Sequence, residues 1–160
     1  MQSYYKKTQT GWLIIFIFVP IILFFAFMLY YQEVLGKPLG ENPAPSWWFA
    51  GFMVFFLVLL VLFSTLTVTG STNYIEIKFG IGFIRKKFFY KDIRSCSVQK
   101  NPAYYGWGIR KIPGGWLYNV SGSWSVQLDM KDGRMYRIGI AEPQKLEQFI
   151  KTRLSLFGGT

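Results

Sequence analysis

The residues best suited to binding chemistry form one short cluster of aromatic rings, glycines and cations. The cluster contains Tyr104, Tyr105, Gly106, Trp107, Gly108, Arg110 and Lys111. Glycines let a ligand or a backbone approach closely, aromatic rings offer a platform, and cations attract an acidic group. The alternative is a tight turn leading into a hairpin, with Trp107 packed in the core, and the glycines favour this alternative because they usually answer a backbone demand. The candidate partner-binding residues are Tyr104, Tyr105, Trp107, Arg110 and Lys111.

A second group of residues can act through charge alone. It consists of Arg85, Lys86, Lys87, Lys91 and Arg94. Each cation close to an anionic leaflet contributes about 1 kcal/mol of attraction, so these five are the candidate lipid-facing residues. The alternative is an edge strand that its charges protect from pairing with other chains. Nucleic acid is not expected as a partner, because no helix or sheet motif for it is present.

Few groups in the chain are suited to catalysis. There is no histidine and a single cysteine, Cys96, which removes the usual zinc, haem and iron–sulfur ligand sets. Cys96 alternates with Val98 in a predicted strand, so it is expected to be a small core residue rather than a nucleophile. The sequence has no glycine-rich phosphate loop, and Asp132 belongs to a turn. We therefore predict a protein that is not an enzyme and that uses no cofactor or metal.

Two uncharged apolar runs, at about 12–31 and about 47–68, predict two membrane spans. A run of about 18 or more such residues is long enough to cross a bilayer as a helix. A signal peptide is the rival interpretation of the first run, but its apolar core is usually only about 7–15 residues and ends at a small-residue site. Tyr30 and Tyr31 offer no such site. Residues 1–69 are thus predicted to be a polar tail and a helical hairpin, although Thr65 to Val68 already alternate like a strand.

The distribution of charge predicts the orientation of these spans. The chain carries 18 Lys and Arg against 8 acids, a net charge of +10. The connector 32–46 has one lysine, the N-terminal tail has two, and the segment from Lys78 onward is heavily basic. By the positive-inside rule, both termini are expected in the cytoplasm, with the protein integral to the plasma (inner) membrane. A domain without disulfides fits that compartment.

From Gly70 onward the apolar period changes to two, which predicts seven or eight antiparallel strands within residues 70–160. Asp132-Gly133 is the strongest hairpin signal in this region. The segment 83–90 alternates poorly, so it is predicted to be an edge strand or to carry a bulge. A helix at about 143–155, with Phe149 and Ile150 on its apolar face, is expected to close the sheet.

The order of these elements resembles that of the bacterial pleckstrin-homology-like (PH-like) membrane proteins. The resemblance rests on Tyr-Gly-Trp-Gly-Ile-Arg at 105–110, Gly-Trp-Leu-Tyr-Asn-Val-Ser-Gly at 115–122, Asp-Gly-Arg-Met-Tyr-Arg-Ile-Gly at 132–139 and Glu142-Pro143. It covers roughly residues 66–154 and the spans. It implies an all-β sandwich or partial barrel capped by a C-terminal helix, with no enzymatic activity and no agreed ligand.

The function expected from this resemblance is that of a non-catalytic, membrane-anchored module. It would bind or scaffold a protein partner at the cytoplasmic face, as a subunit of a membrane complex or by self-association. The alternative is electrostatic binding of anionic lipid headgroups by the basic strands. In the arrangement we expect, the basic residues 85–94 lie against the leaflet and the cluster 104–111 lies on the opposite surface, free for a partner.

Overall fold

The computed structural model describes residues 4–37 and 40–156. The two predicted segments, 1–69 and 70–160, are therefore described except for residues 1–3, 38–39 and 157–160. The structure contains two long apolar helices, nine β-strands in two sheets and a C-terminal helix. The helices are α1 (Trp12–Leu29), α2 (Ser46–Phe63) and α3 (Pro143–Leu156). The strands are β1 (Tyr5–Thr10), β2 (Thr65–Gly70), β3 (Tyr74–Phe79), β4 (Ile84–Phe89), β5 (Ile93–Lys100), β6 (Gly108–Ile112), β7 (Gly115–Asn119), β8 (Trp124–Met130) and β9 (Met135–Gly139).

Helices α1 and α2 form an antiparallel pair that packs through aromatic rings. The ring of Phe25 on α1 stacks on those of Phe52 and Phe56 on α2, at centroid distances of 5.4 and 6.0 Å. A π-helical turn extends α1, giving an apolar segment Trp12–Val34, and neither helix has a buried residue. Two apolar helices exposed in this way indicate a membrane protein.

The second helix ends earlier than the predicted span. It stops at Phe63, and residues 65–70 form strand β2 instead of continuing to residue 68. The reason is the alternation of threonines with Leu66 and Val68, because both apolar side chains are fully buried in the β domain. The strand-like pattern of this segment therefore decides its structure, even though it is as uncharged as the helix before it.

The first sheet has the order β1-β2-β3-β4, and all its pairs are antiparallel. Its first strand lies in the segment predicted as a polar tail. This polar segment can form a strand because two of its side chains have hydrogen-bond partners in the domain. Thr8 Oγ1 lies 2.9 Å from Thr67 Oγ1, and Gln9 Nε2 donates to the Gly139 carbonyl at 2.7 Å. Strand β4 pairs with β3 in continuous register and lies at the edge of the sheet, which confirms the edge strand and excludes the bulge.

The second sheet has the order β5-β8-β9-β7-β6 and contains one parallel pair, β7 with β9. Residues 70–160 contain seven strands, β3 to β9, which agrees with the predicted number, and β1 and β2 bring the total to nine. The prediction that all strands pair in antiparallel fashion was wrong for β7 and β9. The pair is close because Gly115 of β7 has no side chain: a Cβ there would lie 1.9 Å from the Met135 carbonyl oxygen. The hairpin at Asp132-Gly133 is confirmed, with Gly133 at φ 82° between β8 and β9.

The two sheets enclose one apolar core, and α3 closes it. Helix α3 packs against β5 and β8. Phe149 and Ile150 are 8% and 0% exposed, which confirms the predicted closing helix and its buried face. The Phe149 ring lies directly over Gly70 of β2, where an added Cβ would come within 2.3 Å of Phe149 Cε1.

Candidate functional site

The backbone connections determine which end of the β domain lies beside the apolar helices. Strand β1 leads into α1 through Gly11 alone, and α2 leads into β2 through Ser64 alone. The Gly11 amide donates to the Ser64 carbonyl at 2.6 Å, and Thr10 pairs with Thr65. The helical pair is thus the connection of the β1-β2 hairpin. We call the end of the domain at Thr10 and Thr65 the helix end, and the opposite end the far end.

The turn between β3 and β4 lies at the helix end and contacts α2. A Cβ at Gly80 would lie 2.0 Å from the Val61 carbonyl oxygen, so the turn can approach the helix only because residue 80 is glycine. Beyond it, Ile81 and Phe83 are 69% and 80% exposed. Two large apolar side chains therefore project beside the helix termini, a place where apolar side chains meet the interface of a membrane.

The cluster 104–111 also lies at the helix end. A crevice of about 400 Å³ separates it from the helical pair, with Trp107, Ile109 and Arg110 on one wall and Leu13 and Phe63 on the other. The cluster therefore lies beside the two apolar helices instead of on the side of the domain away from them. Its residues are neighbours: the Tyr104 and Tyr105 rings are 4.9 Å apart, and Arg110 Nε donates to the Trp107 carbonyl at 2.9 Å.

The glycines of this cluster adopt backbone conformations that other residues rarely take, as expected for a tight turn leading into a hairpin. Gly106 and Gly108 have φ values of 66° and 94°, which turn the chain into β6 and the β6-β7 hairpin. Trp107, however, is 37% exposed and faces the crevice, so its expected packing in the core is wrong. Tyr104 is 82% exposed. The cluster combines a backbone turn with an exposed aromatic and cationic surface, so the two interpretations of the sequence are compatible.

The five basic residues do not share one surface. On β4, Arg85 and Lys87 lie on the outer face of the first sheet, whereas Lys86 faces inward between the sheets. Lys91 lies in a 3-10 turn at the far end, and Arg94 follows at a shift in the β5-β8 register. The strand β4 alone spans roughly 16 Å from one end to the other, so Lys91 and Arg94 lie away from the helix end. Only Arg85 is both outward-facing and close to it.

Among the candidate residues, Lys86 is the one whose position the sequence analysis missed. Its Nζ lies 4.2 Å from the centroid of the Tyr136 ring and 5.8 Å from that of Tyr118. The sequence held a signal, because Lys86 stands two residues from both Ile84 and Phe88, which point into the domain. Grouping it with Arg85 and Lys87 as one run of charge hid that alternation.

The remaining chemical groups have structural partners. Cys96 is buried, and loss of solvation, followed by the charge of Glu147, raises the pKa of its thiol to about 11, so it is a core residue as predicted. Asp129 accepts from Ser95 and Gln127, and Asp132 pairs with Arg134 in the turn. Within the part of the chain that the structure describes, no three His, Cys, Asp or Glu side chains lie together as metal ligands.

Comparison with known proteins leaves the family open. No family model matches the sequence, and the search of curated proteins finds no match.

Proposed function

We propose that the chain is a non-catalytic, membrane-anchored module whose PH-like β domain binds a protein partner at the cytoplasmic face. The PH-like assignment is supported by the layout of the strands. An antiparallel four-stranded sheet and a five-stranded sheet enclose one core, and a C-terminal helix closes it. This layout fits the sandwich capped by a helix that the resemblance implies, although β1 precedes the two spans instead of following them.

The observation that carries the functional proposal is the continuity of β1 and β2 with the two spans. Single-residue connections at Gly11 and Ser64 leave no flexible linker. The domain is therefore held in one orientation at the membrane surface, which suits a module that presents a fixed surface to a neighbour.

The surface we propose for the partner is the exposed side of the cluster 104–111. Strand β6 is an edge strand, and among the described residues its only partner strand is β7. It carries Arg110 and Lys111, both exposed. An unpaired edge accepts an added strand, and two cations select an acidic one. We therefore propose an acidic extended segment of a partner that lies close to the same membrane.

The alternative function, electrostatic binding of anionic headgroups by Arg85, Lys86, Lys87, Lys91 and Arg94, has less support. These side chains lie on different faces and at different ends of the domain, so their attractions to one leaflet do not add. Partner binding through β6 should survive high salt, whereas headgroup binding by surface charges should fade.

A photo-crosslinking residue at Tyr104 tests the proposed partner surface in native membranes. We expect a covalent adduct with a protein at this position and none with the same residue at Lys131, which is exposed at the far end. Replacing Arg110 and Lys111 with Gln should reduce the adduct, whereas the matched change of Lys91 and Arg94 should not. Equal adducts at both positions, or adducts with lipid alone, would argue against the proposal.

Orientation needs its own test. We propose that both termini are cytoplasmic and that the connector 32–46 faces outward, from the charge distribution of the sequence. A cysteine at Glu41 should react with an impermeant thiol reagent in intact cells, while the buried Cys96 should remain unmodified. Protection of position 41 until the cells are opened would reverse the topology.

A further inference from the structure

Lys86 places a positive charge inside a cavity between the two sheets. The cavity has a volume of about 480 Å³, and its apolar wall includes Ile77, Phe79 and Ile84. Facing Lys86 across it are the rings of Tyr118 and Tyr136. A cation in such surroundings is stabilised in part by the ring faces, but it is still poorly solvated.

The other charges near the cavity leave Lys86 without an acid. The ion pairs formed by the described residues do not include Lys86. Arg134, at the rim, is paired with Asp132, and Arg85 Nε donates to the Gly82 carbonyl at 2.6 Å. The cavity therefore keeps a net positive charge, and an anion entering it would meet both a cation and hydroxyl groups.

The cavity adjoins the crevice between the helices and β6. Ile109 lines both spaces. On its other side the crevice is walled by Leu13, Ile17 and Leu59 of α1 and α2. These helix surfaces are the ones that lipid would cover. Ile109 thus stands between the apolar surface of the spans and the cavity that holds the amino group of Lys86.

We propose that the crevice and the cavity, which meet at Ile109, together bind one anionic lipid drawn from the surrounding bilayer. Its acyl chain would lie in the crevice against α1 and α2, and its acidic headgroup would enter the cavity and accept a hydrogen bond from Lys86 Nζ. The apolar wall of the crevice fits the chain, and the unpaired cation of the cavity fits the headgroup. This site is a stoichiometric one and does not depend on the proposed protein partner.

The test uses the full-length protein in nanodiscs that contain phosphatidylglycerol and phosphatidylcholine. Native mass spectrometry after release into detergent would count the retained lipid. We expect one phosphatidylglycerol on the wild type, retained at high salt, and no retained phosphatidylcholine. Soluble glycerol phosphate should not displace it, because the crevice holds the acyl chain. Displacement by glycerol phosphate would mean a site for the free anion and would overturn the lipid assignment.

The neighbouring lysine supplies a matched control. Lys86→Gln should lower the affinity for phosphatidylglycerol by about 10-fold or more, the usual loss for one hydrogen bond to a charged group. Lys87→Gln removes the same charge from the opposite face of the same strand and should leave retention unchanged, and Lys86→Arg should preserve it. Equal loss in the Lys86→Gln and Lys87→Gln variants would overturn the proposal.

A second pair of variants guards against misfolding of the β domain. Leu13→Trp fills the crevice from the lipid-facing side and should also reduce retention. Leu23→Trp, on the same helix but away from the crevice, should not. If Leu13→Trp and Leu23→Trp retain the lipid equally well, the crevice does not hold the acyl chain.

Discussion

The two sheets of the β domain are built by different rules. In the first sheet every strand pairs with its neighbour in the chain, and the spans are inserted between its first two strands. In the second sheet β9 lies between β8 and β7, so two strands that are not consecutive in the chain pair in parallel. The first sheet is thus joined directly to the two apolar helices through β1 and β2, whereas the strands of the second sheet come later in the chain and are covered by α3.

Contacts of β1 and α3 join the two sheets. Lys7 of β1 forms an ion pair with Glu142 at the start of α3, and the Tyr5 ring lies 5.5 Å from that of Phe149. Burial, followed by the charge of Glu142, raises the pKa of Tyr5 to about 12. The N-terminal strand thus packs against the domain core.

Removing β1 and β2 should have the largest effect. A fragment that begins at Gly70 lacks β1 and all of β2 except its last residue, including the fully buried Leu66 and Val68, so we expect it to remain unfolded. Joining Thr10 to Thr65 through an Asn-Gly turn should instead give a folded soluble domain, because these two residues are already paired. Circular dichroism and amide exchange would compare the two chains. A cooperative fold in the fragment alone would show that the first sheet does not need β1 and β2.

Loss of the ring that packs α3 on the first sheet should have the next largest effect. Phe149→Ala is expected to lower the free energy of unfolding by about 3–5 kcal/mol, measured by chemical denaturation in detergent. Gly70→Ala should also destabilise the wild type, because its Cβ would meet the Phe149 ring. In the double variant the new methyl group fits the vacated space, so the two losses should not add. If the losses of unfolding free energy in the two single variants simply add in the double variant, Gly70 and the Phe149 ring are not in contact.

A single methyl group should disturb the parallel pair of the second sheet. Gly115→Ala places a Cβ against the Met135 carbonyl oxygen, and overpacking of this kind costs about 1–3 kcal/mol of unfolding free energy. The matched control is Gly51→Ala on α2, where no atom lies within 4 Å of the added Cβ. Equal stability of the two variants would indicate that β7 and β9 are further apart than described.

The smallest effect is expected from the ion pair between Lys7 of β1 and Glu142 at the start of α3, and this effect depends on pH. Hydrogen bonds from Lys145 and Lys7 lower the pKa of Glu142 to about 2 from its ordinary 4.5. A folded-state pKa below the unfolded one contributes stability that is fully present above that ordinary value. That stabilisation is lost as the pH falls towards 2.

Thermal unfolding of Glu142→Gln should therefore show a small fall in Tm at pH 7 that disappears near pH 2. Glu41→Gln, in the connector, should show no such difference. If the fall in Tm of Glu142→Gln is the same at pH 7 and pH 2, the lowered pKa of Glu142 is not its cause.

The sequence predicted those parts of the fold that depend on local pattern. The uncharged runs gave both helices, and Asp132-Gly133 gave a hairpin. It did not predict β1, because a polar segment becomes a strand only when β2 is beside it. Nor did it predict the β7-β9 pair, since nothing local in Gly115 specifies Met135 as its neighbour. Pairing across long stretches of chain is decided by packing rather than by propensity.

The candidate sites illustrate the same limit. Arg85, Lys86 and Lys87 were grouped by sequence proximity, but alternation along β4 sends Lys86 to the opposite face. The cluster 104–111 was recognised as a unit, yet its position beside α1 and α2 follows from the connections at Gly11 and Ser64. Residue type could be read from the chain, whereas the surface that each residue belongs to required the topology.

The two ends of β4 offer the most direct test of the continuity between spans and sheet. Nitroxide labels would be attached to cysteines at Phe83 and Lys91 in the reconstituted full-length protein, since the raised pKa and burial of Cys96 leave it unreactive. Accessibility to oxygen, which concentrates in lipid, would be compared with accessibility to a water-soluble nickel chelate. We expect the label at 83 to favour oxygen and the label at 91 to favour the chelate. A label at 91 in lipid with the label at 83 in water would contradict the orientation set by β1 and β2.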